Sequence, residues 1–136
     1  MLKIGDVVYV NTHENTRCTI TSMCFSKSDE YTLSGETVNG RYVWKRETIV
    51  RYGLNDRHSI WQEKRLTFVG KREDIPPQLY KLGDTVNIRE EEDTIYTVGA
   101  VHYKPNGYKY ELFANGKPSR TVEEHLVVSA QPYTLF

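Results

Sequence analysis

Two stretches of this sequence are nearly the same: residues 3–10 read KIGDVVYV and residues 81–88 read KLGDTVNI. Lysine, glycine, aspartate and the second valine are identical when Lys3 is aligned with Lys81. Gly-Asp is typical of a turn, and the alternating apolar residues after it are typical of a strand with one buried face. The chain therefore contains an internal repeat whose unit begins with a turn and a strand.

The similarity continues downstream of this turn with small changes of offset. The further segments that we align are residues 19–23 with 97–101, 31–33 with 110–112, 39–40 with 115–116 and 47–50 with 124–127. Insertions are tolerated in loops but not inside paired strands, because a one-residue slip exchanges the buried and solvated faces. The offset between the two copies changes only at turns, and this pattern predicts a duplicated small β-unit.

Each copy contains further runs of β-branched and aromatic residues separated by turn signals. In the first copy the predicted strands are residues 5–12, 17–25 and 29–35, with a turn at Ser26-Lys27-Ser28; in the second they are 83–89, 95–103 and 108–114, with a turn near Asn106-Gly107. Asn39-Gly40 and Asn115-Gly116 predict hairpins between the third and fourth strands of each copy, because both central residues of a type I′ turn need positive φ. The fold class is therefore all-β.

The length and composition of the chain limit its domain count and the functions that it can have. At 136 residues and 15.8 kDa the chain forms one domain or two very small ones. Lys+Arg and Asp+Glu number 18 each, so a net charge of +0 argues against a basic nucleic-acid-coating protein. No apolar run is long enough to cross a membrane or to act as a signal peptide, so we expect a cytoplasmic protein. Cys18 and Cys24, six residues apart in one predicted strand, are expected to be free thiols.

The segment between the copies, residues 53–79, is too apolar to be a flexible linker. Ile60, Trp61, Leu66, Phe68 and Val69 would be a liability in water, so we expect them to pack. Residues 65–69 are predicted as a strand that completes the first unit or bridges the two, and a helical turn over 58–65 is the alternative. Because Pro76-Pro77 favours a boundary, we divide the chain into a first unit at 1–70, a linker at 71–79 and a second unit at 80–136.

The Gly-Asp opening, the strand count and the Tyr-x-Leu pattern followed by Glu-x-Ile/Leu resemble the SH3-like small barrels, a group that includes SH3, Tudor, Agenet and KOW modules. The resemblance covers residues 2–52 and 80–130 and implies two tandem SH3-like small antiparallel barrels. The group has many functions, so the fold does not define one. The ALYDY opening of peptide-binding SH3 domains and the basic, glycine-flanked KOW loop are both missing. In size and compactness the chain is similar to proteins of bacteriophages and mobile elements, including inhibitors of host machinery.

We find no sequence motif for catalysis. The chain lacks the glycine-rich nucleotide loops, the His-Glu-x-x-His motif and the nucleophile elbow, and its four histidines are isolated. Glu123-Glu124 would point to opposite faces of a strand, and the alignment of Glu124 with Glu47 favours a structural role. We therefore predict a protein that is not an enzyme and needs no cofactor or metal.

Cations and aromatic residues alternate in the first copy, a pattern that suits a binding surface. The candidate binding residues there are Arg41, Tyr42, Trp44, Arg46, Arg51 and Arg57, to which we add the acidic run Glu90, Glu91, Glu92 and Asp93 of the second copy. Arginine and aromatic side chains anchor protein partners or stack on bases. Trp44 either anchors a ligand or plugs the end of its barrel.

From these features we predict that the protein functions by binding a partner. We expect a protein partner to contact the barrel surfaces; the alternative is a nucleic acid or small nucleotide bound by the Arg/aromatic hairpin. No membrane partner is expected, and the sequence leaves the oligomeric state open.

Overall fold

The structure, a computed structural model, describes residues 2–57 and 59–130, and for residues 26–38, 41–48 and 92 it describes the backbone alone. This part of the chain contains ten β-strands, two short 3-10 turns and no α-helix, so the all-β prediction is confirmed. Every strand pairing is antiparallel. Within the same residues, no helix has the length and apolarity that crossing a membrane requires.

The strands fall into two halves of equal strand number. The first half consists of β1 (Asp6–Val10), β2 (Cys18–Val38), β3 (Arg41–Leu54), β4 (Ile60–Gln62), a 3-10 turn (Glu63–Arg65) and β5 (Leu66–Lys71). The second consists of β6 (Thr85–Ile88), β7 (Glu91–Lys104), β8 (Gly107–Ala114), β9 (Lys117–Glu123), a 3-10 turn (Glu124–Leu126) and β10 (Val127–Ser129).

Both halves have the same strand order. Hydrogen-bonded neighbours run β5-β1-β2-β3-β4 in the first half and β10-β6-β7-β8-β9 in the second, and a 3-10 turn precedes the last strand of each. The two halves join where β2 pairs with β7 through Ser22–His102, Met23–Val101 and Cys24–Ala100. An ion pair between Lys104 and Asp56 also crosses this seam. The strands thus form one continuous network.

The repeated Gly-Asp dipeptide forms the same turn twice. Gly5 and Gly83 have φ of +94° and +88°, a backbone conformation that residues with a Cβ rarely adopt. The carboxylates of Asp6 and Asp84 each accept a hydrogen bond from the N–H three residues earlier, at 2.8 Å in both halves. The sequence similarity of the two openings therefore has a local conformational cause.

The same turn is tied to the second strand of its half. The Gly5 N–H donates to the Ile20 carbonyl and the Gly83 N–H donates to the Val98 carbonyl, both at 2.9 Å. Immediately after these residues the second strand of each half gains one extra residue, which shifts its register with the third strand. The offset that aligns Lys3 with Lys81 thus holds through the second strand.

Our alignment of the third strands was wrong. The register pairs Ile20 with Leu54 and Val98 with Leu112, so the counterpart of residues 110–112 is 52–54 and not 31–33. The offset between the halves becomes smaller there, because the β2–β3 hairpin is much longer than the β7–β8 hairpin. The sequence contained the signal, since Tyr-Gly-Leu at 52–54 also fits the Tyr-x-Leu pattern.

The long hairpin explains two further corrections. Residues 17–25 and 29–35 belong to one strand, β2, whose register shifts absorb the extra residues that we interpreted as a turn. Both Asn-Gly dipeptides have the positive φ of a hairpin turn, as predicted. They occupy different places, because Asn39-Gly40 joins β2 to β3 whereas Asn115-Gly116 joins β8 to β9.

Residues 53–71 complete the first half. They supply the end of β3, the strands β4 and β5 and the 3-10 turn between them, and β5 pairs with β1. Leu66 is buried there, but Ile60, Phe68 and Val69 are 46%, 55% and 42% exposed, which contradicts our expectation of packing. β4 and β5 each pair with one strand only among the described residues. The division of the chain at 71–79 stays a prediction.

The core passes through the seam. One cross-strand row on the buried face of the network runs through six strands, in the order Trp61, Tyr52, Met23, Val101, Tyr110 and Val122. Five of these side chains are buried and Trp61 is half-buried. Because apolar burial is the main source of folding stability, the row couples the two halves energetically. Cys18 and Cys24 lie on the same strand as free thiols, as expected.

A glutamate at the start of each 3-10 turn anchors the chain that precedes the Gly-Asp turn. The Glu63 carboxylate accepts from the Leu2 N–H at 2.9 Å, and the Glu124 carboxylate accepts from the Leu79 N–H at 3.3 Å. Glu124 therefore has a structural role as predicted, but its counterpart is Glu63 rather than Glu47. Glu47 lies within β3 instead.

The hydroxyl of the buried tyrosine beside this glutamate is hydrogen-bonded differently in the two halves. The Tyr110 hydroxyl donates to Glu124 and accepts from the Tyr80 N–H at 3.3 Å. Its counterpart, the Tyr52 hydroxyl, is buried beside the Leu2 backbone but forms no hydrogen bond of good geometry among the described residues. The same ring position thus carries a satisfied hydroxyl in one half and an unsatisfied one in the other.

This difference predicts opposite outcomes for one substitution. Tyr110→Phe should lower the free energy of unfolding by about 1–3 kcal/mol, because it removes a hydrogen bond to a charged group. Tyr52→Phe should be neutral or stabilising, because it removes a hydroxyl whose burial is uncompensated. Urea unfolding of both variants is the measurement, and each is the other's control. Equal losses of unfolding free energy in the two variants would show that the Tyr110–Glu124 hydrogen bond adds no stability of its own.

Candidate functional site

A groove of about 630 Å³ opens on the first half. We call it the cationic groove and define it by the lining residues Asn11, Arg51, Ile60, Trp61, Gln62, Lys64 and Arg65. Three of these side chains carry a positive charge, and no carboxylate lines the groove in the described part of the chain. The groove therefore offers cations beside an aromatic ring and an aliphatic side chain.

Consecutive elements place these residues. β4 supplies Ile60 and Trp61, and the 3-10 turn that follows at once supplies Lys64 and Arg65. Trp61 is half-buried at one end of the core row, whereas Ile60, on the opposite face of β4, is 46% exposed. Trp61 thus extends the core outward to the groove.

Asn11, just after β1, holds the turn that carries the two cations. Its backbone N–H donates to the Arg65 carbonyl at 2.9 Å and its side-chain amide donates to the Lys64 carbonyl at 3.0 Å. Its side-chain oxygen in turn accepts from the Thr67 hydroxyl at 2.5 Å. The backbone beneath the exposed charges is therefore rigidly bonded, although the charged side chains themselves lie in solvent.

Arg51 lies on β3 opposite Gln62 of β4. Its Nε is buried and has no hydrogen-bond partner among the described residues. An unpaired buried donor on a charged group is costly. The Arg51 side chain also lines the groove, so its positive charge would attract an anion there.

A polar row connects the groove to the second half. On the face opposite the core row, the strand register runs Gln62, Arg51, Cys24, Ala100 and Glu111. Burial, and then the Glu111 carboxylate, raise the pKa of the Cys24 thiol, so it is protonated near neutral pH. A protonated thiol is a poor nucleophile.

His102 lies diagonally across the seam from Cys24. Burial lowers its pKa, against the opposite effect of Glu111, so the imidazole is neutral near pH 7. Within the described residues no group of three or more histidine, cysteine, aspartate or glutamate side chains is arranged to hold a metal ion.

The second half has a different pocket on its surface. It measures about 230 Å³ and is lined in part by Lys109, Glu123, Glu124 and His125. Its two carboxylates distinguish it from the cationic groove. The two halves thus share their strand order but differ in the charge that lines these two depressions.

The structure separates the binding residues that the sequence grouped together. Arg51 lines the cationic groove, whereas Arg57 is exposed in the connection between β3 and β4. The side chains of Arg41, Tyr42, Trp44 and Arg46 lie outside the described residues, although their backbone belongs to β3, the strand that carries Arg51. The role of Trp44 therefore stays a prediction.

The acidic run lies elsewhere: Glu90 is in the turn between β6 and β7, and the next three residues begin β7. Glu90, Glu91 and Asp93 are exposed there, and Glu91 forms an ion pair with Arg120 of β9. The side chain of Glu92 lies outside the described residues. This run belongs to the second half and does not line the cationic groove.

Three groove residues were not predicted from the sequence to bind a ligand: Trp61, Lys64 and Arg65. We interpreted Trp61 only as an apolar residue in need of packing. An aromatic residue followed closely by two cations is the same signal that drew attention to residues 41–46. The pairing of these residues with Asn11 and Arg51, distant in sequence, required the fold.

Comparisons of this chain with protein-family models, with curated proteins and with solved structures found no significant match.

Proposed function

We propose that this chain is a cytoplasmic, non-enzymatic binding protein that engages a protein partner through the cationic groove. We further propose that its two halves are tandem SH3-like small barrels, and that it acts in the manner of a phage-encoded inhibitor of host machinery. The repeated strand order, the repeated Gly-Asp turn and the repeated 3-10 turn support the two-barrel interpretation.

One observation carries the binding proposal: the groove combines three cations with an unpaired buried Arg51 Nε and two partly exposed apolar side chains. Arginine and tryptophan are among the residues most enriched in the energetic centres of protein interfaces. Ile60, being 46% exposed, has apolar surface that a protein partner would bury.

A nucleic acid or nucleotide is the second candidate, because the same groove places cations beside the Trp61 ring. Cations neutralise phosphates and aromatic rings stack on bases. This candidate predicts an affinity that falls steeply with salt concentration. The net charge of +0 favours the protein partner, since no overall field attracts a polyanion.

Charge reversal in the groove tests the proposal. We expect Arg65→Glu to weaken binding of the partner at least tenfold, because it places a negative charge where an acidic surface would dock. Arg65 is exposed, so thermal unfolding should be nearly unchanged. The measurement is capture from bacterial lysate, identification by mass spectrometry, and titration of the purified partner.

Lys117→Glu is the matched control. It makes a similar charge change at an exposed position on β9, outside the groove, and should leave binding at the wild-type level. Failure to capture any stoichiometric partner, or equal binding by the wild type and both variants, would contradict the proposal.

A further inference from the structure

We infer that the cationic groove receives an extended acidic segment of the partner, which adds as a strand to the free edge of β4 and places a carboxylate against Arg51. This inference rests on the proposed function and specifies the partner's chemistry and its mode of binding.

The edge of β4 is available. Among the described residues β4 pairs with β3 alone, and it ends the strand order of the first half. An edge strand presents unpaired backbone groups that can accept another strand. Because all three residues of β4 line the groove, a strand that occupies the groove would lie beside this edge.

The charges of the groove favour an acidic ligand. A carboxylate can form charge-assisted hydrogen bonds with a guanidinium, and the Arg51 side chain lines the groove. Lys64 and Arg65 add two exposed cations from the adjoining 3-10 turn. A ligand carboxylate at Arg51 would thus be neutralised from more than one direction.

An apolar side chain defines what accompanies the carboxylate. Trp61 lies on the other face of β4 from Gln62 and Arg51, also lines the groove and is half-buried. Successive residues of a strand point to opposite sides, so a strand with acidic residues at alternate positions can direct its other residues to apolar surface. The preferred segment therefore alternates acidic and apolar residues.

The second half does not offer this site. β9 is also an edge strand among the described residues, but its Arg120 is already paired with Glu91. The pocket beside it contains the carboxylates of Glu123 and Glu124, which would repel an acidic segment. The edge of β9 is therefore not expected to bind a second acidic strand.

Short fluorescent peptides test the inference directly on the full chain. The probe is a peptide of alternating Val and Asp, and its twin has Asn in place of Asp. We expect the Asp peptide to bind at least about tenfold more tightly than the Asn peptide in fluorescence anisotropy, because only the carboxylate is charged. Methylation of alternate peptide nitrogens should abolish binding by removing the donors that pair with β4.

Variants locate the site. Arg51→Gln and Arg65→Gln should each weaken binding of the Asp peptide severalfold or more, whereas Lys117→Gln should bind it like the wild type. Thermal unfolding of each variant separates a lost contact from a lost fold, and the exposed Arg65 keeps the test usable if Arg51→Gln unfolds.

Three outcomes would overturn the inference. Equal binding of the Asp and Asn peptides would exclude carboxylate recognition, and equal binding of the methylated peptide would exclude strand addition. Tighter binding of oligothymidylate than of the Asp peptide would assign the groove to nucleic acid. The proposed function is tested by a different experiment, and it is contradicted if Arg65→Glu and the wild type capture the protein partner equally well.

Discussion

Val101→Asp is expected to lower the free energy of unfolding by at least about 3 kcal/mol, because it buries a carboxylate that has no partner. Val101 is fully buried in the core row and pairs with Met23 across the seam. The loss should therefore reach the first half as well as the second. Both tryptophans, Trp44 and Trp61, lie in the first half, so tryptophan fluorescence reports on that half alone.

We expect the tryptophan fluorescence and the far-ultraviolet circular dichroism of Val101→Asp to change together at a lower urea concentration than in the wild type. Coincident transitions are the mark of one cooperative unit. Ser119→Asp adds the same charge at an exposed position of the second half and should leave both transitions in place. A fluorescence transition that stays at the wild-type urea concentration in Val101→Asp would show that the halves fold independently.

A steep loss of stability is expected above pH 10. Burial, and then the Glu63 carboxylate, raise the pKa of Tyr52 to about 12, and burial, and then Glu124, raise that of Tyr108 to about 12. Burial, and then its hydrogen bond to Glu124, also raise the pKa of Tyr110. The unfolded chain releases these protons near pH 10, before the folded chain does. The stability contributed by the neutral rings is thus complete below pH 10 and lost as the pH rises through 12.

Tyr52 and Tyr108 should each lower the free energy of unfolding by about 3 kcal/mol once the pH exceeds 12. Urea unfolding at neutral pH and at several values between pH 10 and 12, followed with tyrosinate absorbance, measures it. Tyr52→Phe should reduce the alkaline loss by about 3 kcal/mol, since phenylalanine has no proton to release. A stability that is constant from neutral pH to pH 12 would contradict the raised pKa values.

Features with a local cause were predictable from the sequence. The Gly-Asp turn depends on a glycine with positive φ and on an aspartate that accepts an N–H three residues away, and both conditions involve neighbouring residues. The two Asn-Gly hairpins were predictable for the same reason. Alternation of apolar residues then sufficed to assign the all-β class.

The correspondence between the halves beyond the second strand was not predicted correctly. Sequence alignment favoured small changes of offset, whereas the first half contains a hairpin much longer than its counterpart. Pairing lengths of this kind depend on the partner strand, and no single segment encodes them. Glu63, the counterpart of Glu124, was missed for this reason.

The sequence by itself determined the Gly-Asp and Asn-Gly turns, the all-β class and the cation–aromatic character of the first copy, because these depend on residue type and short-range spacing. Only the tertiary structure decided that β2 pairs with β7, that Arg51 meets the turn carrying Lys64 and Arg65, and that the acidic run lies apart. Strand pairing brings together residues distant in the chain, and the choice of partner depends on shared burial across the whole sheet.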